Sequence, residues 1–187
     1  MTISQASHSV VSWPARLWRS SVYGLALLPL ALAGIIAALA GRSGAAAGWW
    51  VRLRGFLVPQ PLPARRPSVL AVLGHSALSV LLGATALIPL GVELLVVLRG
   101  LLYGVVDHGP YDHSWGGPSR AGAWLTHFAV GVPMAAAAAF ALVGLAATHE
   151  RLTAALAGQR RAPWVIPVAL VVPLPAIVFF IAWLHQI

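Results

Sequence analysis

The sequence predicts an all-α integral membrane protein, a four-helix transmembrane bundle with Pro-kinked helices. The 187 residues are 59% hydrophobic and only 9% charged, whereas a soluble domain carries about 25% charged residues. Four apolar stretches reach the roughly 20 residues that cross the hydrocarbon core of a bilayer. They lack the alternation of apolar and polar residues that marks a membrane β-strand. The high hydrophobic and low charged fractions exclude a disordered chain, an ordinary cytoplasmic enzyme and a soluble nucleic-acid-binding protein.

We expect one transmembrane domain over residues 21–187, preceded by an N-terminal amphipathic tail over residues 1–20. The first apolar stretch also resembles a signal peptide, because arginines precede it and small residues end it. Its length of about 20 residues exceeds the apolar region of a signal peptide, so we retain it as a helix. The four helices are predicted at about residues 21–40, 69–106, 121–147 and 165–184.

The second predicted helix is too long for a perpendicular crossing. Its 38 residues would extend about 57 Å at about 1.5 Å per residue. It must therefore tilt, break at residues 89–91 or leave one end along the interface. A proline removes a backbone donor, so we expect a bend where one interrupts an apolar run. Each predicted helix holds an apolar-proline-apolar triplet, at Pro29, Pro89, Pro133 and Pro173 respectively.

The arginines predict the orientation of the chain. All twelve basic residues are arginine, and eight lie in the predicted loops 41–68 and 148–164. Loops rich in arginine stay in the cytoplasm, so both are expected there. Four crossings then place both termini outside, unless the first segment turns back at Pro29 or Gly34 and keeps the N terminus inside.

Two stretches of the first basic loop have distinctive compositions. Aromatic and basic residues alternate over residues 49–56, which is typical of a segment lying in the membrane interface. Residues 58–67 hold four prolines and predict a stiff, extended connector. We expect the chain to contact the lipid bilayer of the cell membrane, and to bind a membrane-protein partner or a second copy of itself. No nucleic acid is expected, because the arginines flank apolar segments as membrane-facing residues do.

Polar residues inside the apolar stretches are candidates for function. An ionisable group in the membrane is costly and suggests a functional role by default. Glu93 is expected to face the bundle interior and to pair with Arg99, His75 or His127. Its role stays open between a structural pair, a proton or ligand site, and a carboxylate exposed at the interface.

Two Asp-His pairs precede the third predicted helix, Asp107-His108 and Asp112-His113. Carboxylate and imidazole groups suit Zn²⁺, but this spacing matches no known zinc pattern. We therefore expect no metal and no cofactor, and interpret the pairs as an exposed polar loop or as pH-sensing histidines. The chain has no Walker loop, nucleophile elbow or dinucleotide fingerprint. With only four acidic residues, we expect that it is not an enzyme.

The loop motif that follows is the most distinctive run of the chain: Ser114, Trp115, Gly116, Gly117 and Pro118. Residues 121–124 then read Ala-Gly-Ala-Trp, and His127 follows. This region resembles the sensor domain at the N terminus of many actinobacterial sensor histidine kinases. The resemblance covers about residues 13–158, including His149 to Gly158 as the cytoplasmic exit of the third predicted helix. It implies a sensing role and identifies no ligand. The first apolar region is shorter than in that family, and the chain carries no kinase modules.

These observations predict a membrane-embedded sensor-like or regulatory module that acts through a partner protein. One alternative is a structural or accessory subunit of a larger membrane complex. Another is a small transporter that uses Glu93. A transporter should carry polar residues along several helices, and only the second predicted helix contains an acid.

Overall fold

Apolar stretches of this length form helices, because a helix satisfies its own backbone donors and acceptors where no water can. The computed structural model describes residues 12–62 and 66–185. Within these ranges the regular structure is entirely helical, as predicted. The elements are α1 (Trp13–Leu39), α2 (Ser43–Leu57), α3 (Val69–Val96), a π-turn (Val97–Leu101), α4 (Tyr103–Val106), α5 (Arg120–Leu156), α6 (Val165–Val171) and α7 (Pro173–Leu184).

Four helical stretches among the described residues are long and apolar enough to cross a membrane, which agrees with a multi-pass membrane protein. They are Trp13–Leu39, Val69–Leu101, Arg120–Leu156 and Val165–Ala182. Two helices extend beyond their predicted apolar stretches. The first helix begins at Trp13 instead of residue 21, so the end of the predicted tail belongs to it. The third continues to Leu156, through the residues that the sequence predicts as its cytoplasmic exit.

Three of the four triplet prolines lie inside continuous helices, and the bends expected at them stay a prediction. α1, α3 and α5 run without interruption through Pro29, Pro89 and Pro133. Of the three ways to fit the long second stretch into a bilayer, a break at residues 89–91 does not occur, and the helix is interrupted later, at the π-turn and Leu102. The fourth predicted helix is instead divided into α6 and α7, just before Pro173.

α2 packs against the bundle with one face, and its predicted place in the membrane interface stays a prediction. The chain reverses at Gly41, whose φ of +74° favours glycine. There the N–H of Gly41 donates to Ala38 over 3.1 Å, and the N–H of Arg42 donates to Ala37 over 2.8 Å. This pair of bonds closes α1 as a Schellman motif. The predicted turn at Pro29 or Gly34 is wrong, because the chain turns back only after α1 ends.

Small residues set the contact between α1 and α3, which run antiparallel. A Cβ at Gly83 would lie 2.7 Å from the backbone nitrogen of Leu28, so the two helices touch through their backbones. Such close approach is typical of packing between membrane helices. α3 also packs against α5, and the core between the three helices is built around Leu27, Leu82 and Leu142.

Candidate functional site

The regular hydrogen bonding of α3 ends at the loop end of the bundle. We use this name for the end where the π-turn, α4, residues 107–119 and the start of α5 meet. The N–H of Leu102 donates to the carbonyl of Val97 over 2.9 Å. Turns of this π type are frequent at functional sites. The indole N–H of Trp124 donates to the carbonyl of Gly100 over 2.8 Å and ties α5 to the π-turn.

The first half of the loop is held by its own hydrogen bonds. The carboxylate of Asp107 accepts the N–H of Gly109 over 3.0 Å. The hydroxyl of Tyr111 donates to the carbonyl of Asp107 over 2.8 Å. The N–H of Ser114 in turn donates to the carbonyl of Tyr111 over 2.9 Å. The loop therefore has a defined shape before it reaches the Trp-Gly-Gly-Pro run.

The two glycines of the motif bring the loop onto the first turn of α5. Gly116 and Gly117 have φ values of +96° and +94°, a region that favours glycine. A Cβ at Gly116 would collide with the carbonyl oxygen of Gly122. The hydroxyl of Ser119 accepts the N–H of Gly122 over 3.1 Å and caps α5. The motif thus works as a close-packed turn, for which a side chain leaves no room at Gly116.

A cavity of about 450 Å³ lies between this loop, α3 and α5. We call it the loop-end cavity. Its volume falls within the roughly 300–1,000 Å³ of small-molecule sites. Aliphatic side chains form one part of its wall, and polar and aromatic side chains form the rest. Its lining residues are Val92, Leu95, Val96, Arg99, Gly100, Tyr103, His113, Ser114, Trp115, Thr126, His127, Val130, Gly131 and Met134.

The imidazole of His127 has a fixed place in this wall. Its Nδ1–H donates to the carbonyl of Ala123 over 2.8 Å, which leaves Nε2 as an acceptor. The ring stacks on Tyr103, with centroids 4.3 Å apart and planes 16° from parallel. Arg99 is exposed and forms no ion pair with any described carboxylate. The guanidinium of Arg99 can therefore hold a small anion with an apolar body, and Nε2 of His127 can accept a hydrogen bond from a donor on the same molecule.

Five of the predicted site residues line the loop-end cavity: Arg99, His113, Ser114, Trp115 and His127. His75 lies elsewhere, among the helices of the bundle. Glu93 is half-buried and forms no described hydrogen bond or ion pair with any of its three predicted partners. Its carboxylate accepts the hydroxyl of Ser21 on α1 over 3.2 Å. That hydroxyl also lies 3.3 Å from the carbonyl of Leu17, so Glu93 shares its only described partner.

The Asp-His pairs do not gather around a point. His108, Asp112 and His113 are exposed, and Asp107 is occupied in the loop's own hydrogen bonding. Within residues 12–62 and 66–185 no three histidine, aspartate or glutamate side chains lie close enough to hold a metal ion.

A polar cluster that no sequence motif signals is buried between α1, α3 and α5. His149 is fully buried, with Nδ1 2.6 Å from the hydroxyl of Tyr23 and Nε2 2.9 Å from that of Ser79. Ser79 donates its only hydroxyl proton to the carbonyl of His75 over 2.7 Å. Nε2 of His149 is therefore assigned as the donor to Ser79, and Nδ1 as the acceptor from Tyr23. One neutral imidazole thus joins three helices.

α2 completes this cluster with aromatic contacts. The ring of Trp50 lies 4.9 Å from that of His75 and 5.0 Å from that of His149. Among the described side chains, three fully enclosed polar atoms have no hydrogen-bond partner: Nε1 of Trp50, Nε2 of His75 and Oγ of Ser76. Buried polar atoms of this kind are rare, and each is a place where water or a ligand group can bind.

A buried ion pair lies beside the cluster. Nε of Arg54 donates to Oε1 of Glu150 over 2.7 Å, and a second guanidinium nitrogen lies 2.7 Å from the same oxygen. The remaining nitrogen donates to the carbonyl of Gln60 over 3.0 Å. Arg54 is one of the eight arginines in the basic loops that are predicted to lie in the cytoplasm. In the structure it fastens α2 and the connector after it to α5.

Comparison of the chain with protein-family models, with curated proteins and with solved structures gave no match.

Proposed function

We propose that the chain is a membrane-embedded sensor module, in which a small molecule bound at the loop-end cavity changes how the opposite end of α5 meets a partner protein. The observation that carries this proposal is the cavity itself. The loop motif that resembles a sensor domain forms part of its wall, and Arg99 lies there without a described acidic partner. A guanidinium beside apolar walls favours small amphiphilic anions such as carboxylates.

α5 connects the two ends. It is one continuous helix of 37 residues, and His127 and His149 lie about 33 Å apart along it at about 1.5 Å per residue. A tilt of α5 at the cavity is therefore carried to the hydrogen bonds that His149 makes with Tyr23 and Ser79. Those bonds are directional, so the far end has discrete arrangements that a ligand can favour or disfavour.

The test uses two reporter positions in a chain that has no native cysteine. Asp112→Cys carries an environment-sensitive fluorophore near the cavity, and Gln159→Cys carries one just after α5; both positions are exposed. Short monocarboxylates such as hexanoate are titrated in nanodiscs, with hexanamide as the uncharged control. A sensor predicts that both reporters respond with the same midpoint and that Arg99→Gln weakens both responses.

The pattern of responses separates the alternatives. A response at Asp112→Cys alone indicates a binding module without transmission, which contradicts the sensor proposal. Silence at both positions toward carboxylates and other small amphiphiles favours the accessory subunit. Ligand-dependent cross-linking of Gln159→Cys to a membrane partner then tests the output directly.

A further inference from the structure

A second cavity lies at the basic end of the bundle, where the connectors that follow α2 and α5 meet the starts of α3 and α6. Its volume is about 990 Å³, and it shares no lining residue with the loop-end cavity. We call it the basic-end cavity. Its lining residues are Arg66, Pro67, Ser68, Leu70, Ala71, Gly74, His75, Ala77, Leu78, Leu81, Leu152, Ala155, Leu156, Arg161, Ile166 and Leu170.

Two arginines from different connectors line this cavity. Arg66 precedes α3, and Arg161 lies between α5 and α6. Neither forms an ion pair with a carboxylate in the described part of the chain. The hydroxyl of Ser68 caps α3 by accepting the N–H of Ala71 over 3.2 Å, so its own proton is free to donate. Two guanidinium groups and a hydroxyl donor suit a phosphate.

His75 adds an independent observation. Its side chain is 6% exposed and lines the cavity, and its Nε2 has no hydrogen-bond partner in the described structure. A buried imidazole nitrogen left without a partner is costly unless water or a ligand group reaches it. The cavity is therefore lined by two unpaired positive charges and by a residue whose enclosed Nε2 lies unsatisfied behind the wall.

The rest of the wall is aliphatic. From Ser68 to Leu81 the cavity follows α3 for about 20 Å, at about 1.5 Å per residue. That is two-thirds of the roughly 30 Å hydrocarbon core of a bilayer. Leu70 and Leu170 are exposed, so the cavity opens on the surface of the bundle. A free phosphate would fill only the end that carries the arginines, whereas an acyl chain matches the length of the apolar wall.

We infer that the basic-end cavity binds one anionic phospholipid, with its phosphate between Arg66 and Arg161 and one acyl chain along α3. Basic pockets between membrane helices bind lipid headgroups through this combination of charge and apolar surface. The floor of the cavity is His75, whose ring lies 5.0 Å from that of His149. Lipid in the cavity therefore contacts the buried cluster that joins the helices.

The experiment is native mass spectrometry of the full chain released from nanodiscs that contain equal amounts of phosphatidylglycerol and phosphatidylcholine. We expect one retained phosphatidylglycerol per chain. Arg66→Gln and Arg161→Gln should each weaken its retention about tenfold, as loss of a charge-assisted bond does. Arg160→Gln is the matched control, because Arg160 is exposed next to Arg161 and does not line the cavity.

A second pair of variants tests the acyl chain. Gly74 lines the cavity and has open space where a Cβ would be placed, so Gly74→Leu should fill the groove and abolish retention without a clash. Gly91→Leu, on the same helix and equally free of neighbours, should retain the lipid. Circular dichroism of each variant checks that the helices are intact.

Three results would overturn the inference. Equal retention of phosphatidylcholine would show that charge does not select the lipid. An equal loss in Arg160→Gln would show attraction to the basic surface as a whole. Inorganic phosphate that raises the unfolding midpoint as much as phosphatidylglycerol, with Gly74→Leu unaffected, would assign the arginines to a free anion.

Discussion

The hydroxyl of Tyr23 lies 2.6 Å from Nδ1 of His149, a contact between residues 126 positions apart that joins α1 to α5. The same imidazole reaches Ser79 on α3 through its other nitrogen. All three side chains are buried in the centre of the bundle. The relative placement of three helices thus depends on the two nitrogens of one ring.

Tyr23→Phe should lower the stability of the bundle. The variant keeps the ring but leaves Nδ1 of His149 buried without a donor, which costs about 1–3 kcal/mol. The thermal unfolding midpoint in detergent measures the loss. Tyr111→Phe is the control, because Tyr111 lies in the loop and its hydroxyl bonds only a loop carbonyl. A midpoint for Tyr23→Phe no lower than that of the control would contradict the assigned hydrogen bond.

The Arg54–Glu150 pair should show strong coupling. Removal of one partner of a buried ion pair costs about 3–5 kcal/mol, because the other charge stays buried alone. Arg54→Gln and Glu150→Gln should therefore each destabilise the chain, and the double variant should cost clearly less than their sum. Arg52→Gln serves as the control on the exposed side of α2 and should change stability by less than about 0.5 kcal/mol. Additive losses would mean that the pair is solvated.

The two glycines of the loop motif should differ in their tolerance of a side chain. Gly116→Ala suffers both an unfavourable φ and a collision with the carbonyl of Gly122. Gly117→Ala suffers only the unfavourable φ, which costs about 1–2 kcal/mol, because its Cβ would lie in open space. Hydrogen exchange over residues 107–127 should rise more in Gly116→Ala. Equal exchange in both variants would mean that the loop does not pack on α5.

Glu93 should matter less for stability than its place in an apolar helix suggests. In Glu93→Leu the hydroxyl of Ser21 can turn to the carbonyl of Leu17, which lies 3.3 Å away. We expect Glu93→Leu to lower the free energy of unfolding by no more than about 1 kcal/mol, and Glu93→Gln to leave it unchanged. The unfolding midpoint measures both effects. Ser79→Ala is the comparison, because it removes a fully buried link and should cost more. A larger loss in Glu93→Leu than in Ser79→Ala would reveal a stronger partner for Glu93.

The orientation follows from the arginine count and stays a prediction. Cysteines placed at the exposed residues Gln60 and Arg160 should not react with an impermeant maleimide in intact cells, because both basic loops are expected inside. Asp112→Cys, on the loop expected outside, should react. Labelling at residues 60 and 160 with protection at residue 112 would reverse the orientation.

Prediction from sequence succeeded where the signal is local. Long apolar runs became helices, because a chain in lipid must satisfy its backbone internally. The burial of Trp50 and Arg54 on α2 could not be predicted, because aromatic and basic residues alternate in the same way in an interfacial segment and in a helix buried on one face. Whether the ring of a tryptophan contacts lipid or a histidine is decided by which helix packs beside it.

Some residues of the candidate sites could be predicted from the sequence, and others are brought together only by packing. Composition and the loop motif pointed to Arg99, His127 and Trp115 from the sequence by itself, because charged residues and a Gly-Gly-Pro turn stand out in an apolar chain. Only the tertiary structure brought Tyr23 to His149 and Arg54 to Glu150. Each of these pairs lies on helices that are distant in sequence. Their meeting is set by the close backbone approach at small residues such as Gly83, which fixes how the helices cross and which polar groups they bury together.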